Sequence, residues 1–348
     1  MILLDNNLTE LETLIEKYNQ PKFRAKQLLT SLYRYNGNFA GIPKSLVEEL
    51  GKKHVLFPIS IYKKFESQID GTIKYVLKLA DNNLVECVLM KYKYGFTLCV
   101  STQIGCRMNC KFCASGLDGL IRNLTSGEIL SQVLCVNADL GGELGDKRKI
   151  TNIVLMGSGE PLDNYQNVVK FLNLVGDKNC LNISGRNISL STCGLVPQIK
   201  QLLKDNIKVT LTLSLHACTD QQRKQLMPIA NAYSMQETIS AFLEYVSANR
   251  RGVVEYSLVE GVNDNINDVS HLVKYFKNQP VHINIIRLNA VKERGLNGTS
   301  NNKAHAFCKA LTDAGLSASL RRILGSDIEG ACGQLRRKVI KNESNASN

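Results

Sequence analysis

Cys106, Cys110 and Cys113, in the stretch STQIGCRMNCKFCASG, place three thiols within eight residues in the spacing C-x3-C-x2-C. Thiols gathered in this way are candidate ligands for a metal or a cluster. A closed structural zinc site takes four ligands, usually as two paired arms, and no fourth Cys or His stands nearby in zinc spacing. Ferredoxin clusters also take four thiolates, at other spacings. Three thiolates on a cubane leave one iron open, which is what a cofactor that must coordinate iron directly needs. The alternative is three incidental cysteines on a basic loop, and their close spacing argues against it.

Further candidates end apolar runs. Gly157-Ser158-Gly159-Glu160 follows IVLMG, but no third glycine completes G-x-G-x-x-G, so a dinucleotide fingerprint is not supported. Ser191 ends ISLST, and Ser214, Leu215 and His216 stand in LSLHA. Asn289 closes a third run, VHINIIRLN, and with the register right all of these face one mouth. For His216 taken alone a satisfied structural histidine is the usual reading, and its place at a strand end favours the functional one. Cys193 and Cys218 stand close by in sequence without an assigned role.

The elements that must hold these residues are legible as alternating patterns. Strand-like runs fall at 96–101, 153–157, 188–192, 209–216, 253–259 and 281–288, with helix-period stretches such as SGEILSQVLCVNADL, NYQNVVKFLNLV, SMQETISAFLEYV and DVSHLVKYFK between them. Six β/α units predict an α/β fold with a parallel sheet, an open or partial (β/α)6 barrel rather than a closed eightfold one, with chemistry at the C-terminal strand ends. The cysteines fall in the loop after its first strand. Ahead of the barrel, residues 8–54 carry helix-period apolar positions broken at Gln20-Pro21 and Gly41-Ile42-Pro43. Short β-rich runs with a turn at Asp81-Asn82-Asn83 follow, as a β extension. The expected division is a helical unit over 1–55, the extension over 56–95, the barrel over 96–325 and a C-terminal segment over 326–348 ending in a polar, disordered tail.

Composition sets the outer bounds. The 348 residues are 44% hydrophobic and 21% charged, ordinary for a globular chain able to bury a full core. The opening MILLDNNLTELETL puts no basic leader before an apolar block, and no run of 18 apolar residues occurs, so a cytoplasmic protein without a membrane span is expected. Eleven cysteines, an odd number in a large chain, read as reduced thiols rather than a disulfide framework. A net charge of +12 favours a polyanionic partner, nucleic acid first, with a basic surface of no recognition purpose as the alternative. With no Trp and 6% aromatic residues, a broad base-stacking platform is not evident. Lys91-Lys93, Arg321-Arg322 and Arg336-Arg337-Lys338 are candidate phosphate contacts.

At this point the chain resembles a known family. C-x3-C-x2-C after the first strand of a β/α barrel is the signature of radical S-adenosylmethionine (SAM) enzymes. FRAKQLL, TLCVSTQIGCRMNCKFCASG, MGSGEPLDNYQNV, STCGLVP, SLHA and ACGQLR resemble, in order, the RlmN/Cfr family of ribosomal RNA adenine methyltransferases. GEPLDNY is closer to the RlmN branch, which acts on carbon 2. The resemblance implies a 4Fe-4S cluster on Cys106, Cys110 and Cys113, whose open iron binds SAM and whose electron cleaves it to a 5'-deoxyadenosyl radical. It implies two SAM per turnover: one methylates a cysteine, matching Cys332, and the second provides the radical that activates the S-methyl group for addition to a carbon too poor in nucleophilicity for ordinary methyl transfer.

The same resemblance assigns Cys99 as the cysteine that resolves the protein–RNA adduct through a transient disulfide with Cys332, and Glu86 as the proton acceptor. It makes Gly159, Glu160, Ser191, Ser214, Leu215, His216 and Asn289 contacts to SAM, with Glu160 bonded to its ammonium. The residues themselves leave alternatives open. Cys332 lies between Ala331 and Gly333, which suits an accessible thiol, yet the residues alone favour a core cysteine. Cys99 sits in an apolar strand where a buried thiol is the default, and Glu86 interrupts a β run where a solvent-facing charge is usual. The family's Asn-Pro after the last strand is here Asn289-Ala290, so the loop beyond Asn289 differs. The implied partners are 23S rRNA before full ribosome assembly, tRNA, and an electron donor such as flavodoxin or ferredoxin, for a monomeric enzyme. The competing readings are a Cfr-like carbon-8 methyltransferase conferring antibiotic resistance, and a non-catalytic, metal-containing RNA-binding protein.

Overall fold

The computed structural model describes residues 1–335; the basic cluster Arg336-Arg337-Lys338 and the polar tail lie outside the described residues. Three helices open the chain: α1 (Leu8–Glu16), α2 (Phe23–Arg34) and α3 (Lys44–Lys53). Asn7 caps α1 in a capping box with Glu10, and the expected breaks at Gln20-Pro21 and Gly41-Ile42-Pro43 separate the three. An antiparallel meander follows: β1 (Ile59–Glu66), β2 (Ile73–Leu79) and β3 (Leu84–Tyr92).

The barrel strands are β4 (Gly95–Cys99), β7 (Ile150–Leu155), β8 (Ile188–Thr192), β9 (Thr210–Ser214), β10 (Gly252–Leu258), β11 (Val281–Arg287) and β12 (Ser317–Leu320), with a small hairpin of β5 (Gln103–Gly105) and β6 (Leu120–Asn123) set between the first two. Helices α4 (Ser126–Asp139), α5 (Tyr165–Gly176), α6 (Val196–Lys204), α7 (Asp220–Leu226), α8 (Met235–Ala248), α9 (Ile266–Phe276) and α10 (Asn301–Asp313) connect them. The strands form one ten-stranded sheet in the order β1-β2-β3-β4-β7-β8-β9-β10-β11-β12, parallel from β4 onward and antiparallel before it. Its two ends do not pair, so the barrel is open.

All six strands expected from sequence are present and parallel, and a seventh, β12, adds to the edge of β11. The β extension is not a separate layer: β3 pairs with β4 through Val88–Cys99, Leu89–Leu98 and Met90–Thr97, which carries the sheet without interruption into the barrel. The stretch over α4 reads as amphipathic but is buried on nearly every side, because it lies between the sheet and the N-terminal unit. That docking is specific. Asp5 accepts hydrogen bonds from Gly127 N (2.6 Å) and Ser126 Oγ (2.9 Å) at the start of α4. One apolar core runs from Leu3 and Leu4 through the barrel to Leu316, so the helical unit shares its core with the sheet. A small second cluster of Val88, Met90, Cys99 and Leu335 holds the last described residues against the inner face of β3 and β4.

Candidate active site

Sheet geometry places the loops after successive parallel strands at one end, and the residues singled out in sequence gather there. A pocket of about 1000 Å³ is lined by Cys106, Cys110 and Cys113, by Gly159 and Glu160 after β7, by Ser191 of β8, Ser214 of β9 and His216 beyond it, by Asn289 after β11, and by Cys332. Leu215 is not among its lining residues and lies fully buried in the apolar core. Of the two cysteines left without a role, Cys193 lines the pocket, while Cys218 sits in the core 3.2 Å from Tyr256 Oη.

The cysteine loop leaves β5 and returns along β6, and its shape is set by main-chain contacts. Cys113 N donates to Cys110 O (3.1 Å), and Lys111 N donates to Leu226 O at the end of α7 (2.8 Å). Arg294 Nε donates to Cys113 O (3.1 Å). Burial pushes the Cys106 thiol up to about 12 and the Cys110 thiol higher still, with the neighbouring cysteines adding to both shifts. The Cys106 and Cys110 thiols are therefore neutral at ordinary pH, and an electrophilic iron group is what would ionise them.

The opposite wall supplies polar groups. Glu160 is buried, and burial raises its pKa against hydrogen bonds from Cys193 N to Oε2 (2.8 Å) and Leu162 N to Oε1 (3.0 Å). Its approach requires Gly159: φ is +108°, and a Cβ there would meet Gln103 Cβ at 2.7 Å. Ser191 Oγ and Ser214 Oγ are 3.2 Å apart. His216 takes a positive φ of 53°, and its Nδ1 accepts from Ser257 N (2.9 Å), which leaves the proton of the neutral ring on Nε2. Burial, helped by Arg223, pushes this ring down to about 3. Between that value and the usual 6.5 the unfolded chain binds the proton more readily, so His216 costs the fold stability as pH falls through this window, by about 2 kcal/mol at pH 5. Thermal melts of His216→Gln should accordingly lose less between pH 7 and pH 5 than those of the wild type; an equal loss would show that the ring does not titrate in this way.

Cys332 sits where two cavities meet. It is exposed, and it lines both the main pocket and a cavity of about 580 Å³ that also contains Cys99. Asn289 Nδ2 donates to Cys332 O (3.1 Å), and Ala114 N in the cysteine loop donates to Gly333 O (2.8 Å), so the main chain on both sides of the thiol is pinned. Cys99 is buried and its thiol is pushed up to about 12, first by burial and then by Cys332. Glu86 lines a third cavity of about 550 Å³, which shares Ser115 and Leu335 with the main pocket, and its Oε1 is 3.5 Å from Lys74 Nζ.

Two site residues escape a sequence reading. Arg321, grouped with Arg322 as a surface phosphate contact, instead turns inward just after β12: its Nη1 lies 3.2 Å from Glu255 Oε2 and 3.9 Å from Cys332 Sγ. Glu255, on β10, is buried and takes a second hydrogen bond from Asn284 Nδ2 at 3.1 Å. The carboxylate inside the apolar run VVEYSLV is the one signal that marks it. Together they form a half-buried ion pair whose cation faces the Cys332 thiol.

Residues 100–273 match the model of the Radical SAM superfamily. A protein of Clostridium botulinum strain Eklund 17B, named "Probable dual-specificity RNA methyltransferase RlmN", is 46% identical over 345 residues, covering 98% of each chain. A protein of the same name from Clostridium perfringens strain SM101 is 46% identical over 346 residues, again 98% of each chain. This chain belongs to the RlmN family of radical SAM methyltransferases. Among solved structures, a radical SAM methyltransferase from Sphaerobacter thermophilus superposes with a TM-score of 0.91 at 35% identity, over 97% of this chain and 99% of that one.

Membership of the RlmN family implies a 4Fe-4S cluster and SAM, and the pocket fits such a pair. Among the described residues no three His, Cys, Asp or Glu side chains gather tightly enough to hold a single metal ion, as a closed zinc site requires. Cysteines that each take a different iron need only share a wall. Behind that wall, near enough for its charge to act on the Cys110 thiol, Arg223 of α7 is fully buried, with Nη2 donating to Cys193 O at 2.6 Å and with Nε and Nη1 unpartnered. A buried guanidinium so placed is costly unless an anion stands beside it. An anionic cluster on neighbouring thiolates is such a group.

Proposed function

We propose that this enzyme methylates carbon 2 of an adenosine in 23S rRNA, and of adenosine in the anticodon loop of tRNAs, through an S-methylcysteine on Cys332 and with two SAM consumed per turnover. The observation that carries the reading is the position of Cys332, which borders the pocket lined by the three loop cysteines on one side and the cavity of Cys99 on the other.

In this reading Cys106, Cys110 and Cys113 hold the cluster, and Gly159, Glu160, Ser191, Ser214, His216 and Asn289 hold SAM, with the core residue Leu215 contributing main chain alone. Cluster and SAM, when bound, supply a one-electron route for removing hydrogen from an unactivated methyl group. The protein's own residues do the rest. Arg321 steadies the sulfur of Cys332, and the pinned carbonyls of Cys332 and Gly333 keep that sulfur at the junction of the cavities. Glu86, in the neighbouring cavity and with its Oε1 3.5 Å from Lys74 Nζ, takes the proton released from the base. Cys99 then attacks the Cys332 sulfur: the S–S bond forms as the S–C bond to the RNA-borne methylene breaks, that carbon takes the electron pair and a proton to become the methyl group, and a thiol reductant returns the disulfide to two thiols.

We assign RNA contact to the helical unit over 1–55 and treat 56–95, 96–325 and 326–348 as extension, barrel and methyl-carrying segment. A monomer in the cytoplasm, reduced by a flavodoxin or ferredoxin, completes the proposal. No helix among the described residues is long and apolar enough to cross a membrane.

The test is the modified nucleoside. Holoenzyme, SAM, reductant and 23S rRNA fragments or tRNA should yield 2-methyladenosine after digestion, identified by mass spectrometry against carbon-2 and carbon-8 standards. An 8-methyladenosine product would move the enzyme to the Cfr-like reading, and zinc-loaded protein that binds RNA without cleaving SAM would replace both.

A further inference from the structure

An aromatic surface stands at the rim of the Cys99–Cys332 cavity. The β3–β4 hairpin pairs Tyr92 with Gly95, which leaves Lys93 and Tyr94 as a two-residue turn. The Tyr92 and Tyr94 rings stack with centroids 5.0 Å apart and planes within 6°. Tyr92 is half-buried and lines the cavity, whereas Tyr94 is 64% exposed. The turn is firmly rooted: Gly95 has φ +129°, and a Cβ there would meet Thr151 Oγ1 at 2.6 Å on the adjoining strand β7. The exposed ring is thus displayed by rigid backbone.

Exposed Lys91 and Lys93 flank the stack, and exposed Arg322 lines the same cavity as Tyr92; none of the three joins an ion pair among the described residues. A flat ring with one face covered by its neighbour and the other in solvent, amid unneutralised cations, fits a planar, uncharged group attached to an anionic chain. An unpaired nucleobase with its flanking phosphates has that chemistry. Four residues of β3 separate Val88, opposite Cys99, from Tyr92, about 13 Å at strand rise, so the stacked base is a neighbour of the reacting adenosine rather than that base itself.

We infer that Tyr94, stacked on Tyr92, is a platform for an unpaired RNA base beside the target, so that the site selects looped or splayed RNA over duplex. The inference rests on the proposed RNA substrate. Its test is fluorescence anisotropy with holoenzyme and two RNAs of equal length, a hairpin with an adenosine in its loop and a perfect duplex, for wild type, Tyr94→Phe and Tyr94→Ala. Cluster absorbance and SAM affinity report integrity. Tyr94→Ala should bind the hairpin roughly tenfold to hundredfold more weakly and raise KM accordingly, Tyr94→Phe should keep most of the affinity, and duplex binding should not move. Equal hairpin affinity for Tyr94→Ala and wild type, with methylation intact, would overturn the platform alone. Parallel weakening toward hairpin and duplex would overturn it in favour of a phosphate contact, and a wild type that binds neither RNA would overturn the RNA reading with it.

Discussion

Cys332→Ala holoenzyme is expected to release no methylated adenosine, a loss of about three orders of magnitude or more, as when a covalent group is removed from an enzyme that works through it. The cluster should be unaffected, because Cys332 enters the pocket from the C-terminal segment and the loop cysteines are shaped by their own contacts with α7 and Arg294. Cys99→Ala should fail differently. Cys99 is buried and shares its cavity with Cys332, so in the proposed mechanism its loss would block release after the methyl-bearing sulfur has bonded to the base. Denaturing gels should then show RNA covalently attached to Cys99→Ala, and none attached to the double variant Cys99→Ala/Cys332→Ala. Turnover by Cys332→Ala would remove this residue from the chemistry.

The contrast between Cys99 and Cys332 also shows what can be read without coordinates. The loop cysteines declare themselves by spacing, and the barrel strands by apolar runs closed with Gly, Ser or Asn; all six strands stand where those runs lie. The strand β12 does not declare itself: SASL is four residues long with alternating burial, and only the free edge of β11 makes it a strand. Arg321 is misread for the same reason. Beside Arg322 it looks like a surface pair, but Arg321 N donates to Ile285 O at 2.8 Å as β12 ends, and that bond turns its side chain toward Glu255.

The Tyr92–Tyr94 stack is hidden from composition altogether. With aromatic residues at 6% no platform is indicated, since stacking depends on a hairpin register that brings alternate residues to one face. Glu86 lies between these cases. Its interruption of LVECVLM is visible, but its burial comes from Lys74 on β2 and from a cavity closed by the distant Leu335. Local chemistry is written in neighbouring residues, whereas a site assembled from segments hundreds of residues apart is decided by sheet order.

Cys110→Ala carries the second large expectation: loss of the cluster and, with it, of all SAM cleavage. The loop should survive the change, because its path depends on backbone groups that alanine keeps. Lys111 N still reaches Leu226 O, and Asn109, at φ +51° with its Cα 2.9 Å from where a Cβ on Gly116 would sit, still fixes the turn. Removing one thiol therefore tests coordination rather than folding. After anaerobic reconstitution the wild type should hold about four irons and show the thiolate-to-iron absorbance of a 4Fe-4S cluster. Cys110→Ala should show neither that absorbance nor 5'-deoxyadenosine on addition of dithionite and SAM, with an unchanged far-ultraviolet circular dichroism spectrum. Cys106→Ala and Cys113→Ala should behave alike, while Cys193→Ala, on the same wall but outside the loop, should keep its iron. Cleavage that persists without Cys110 would mean that the cluster is held elsewhere, and a wild type that retains zinc through reconstitution would return the three thiols to a structural role.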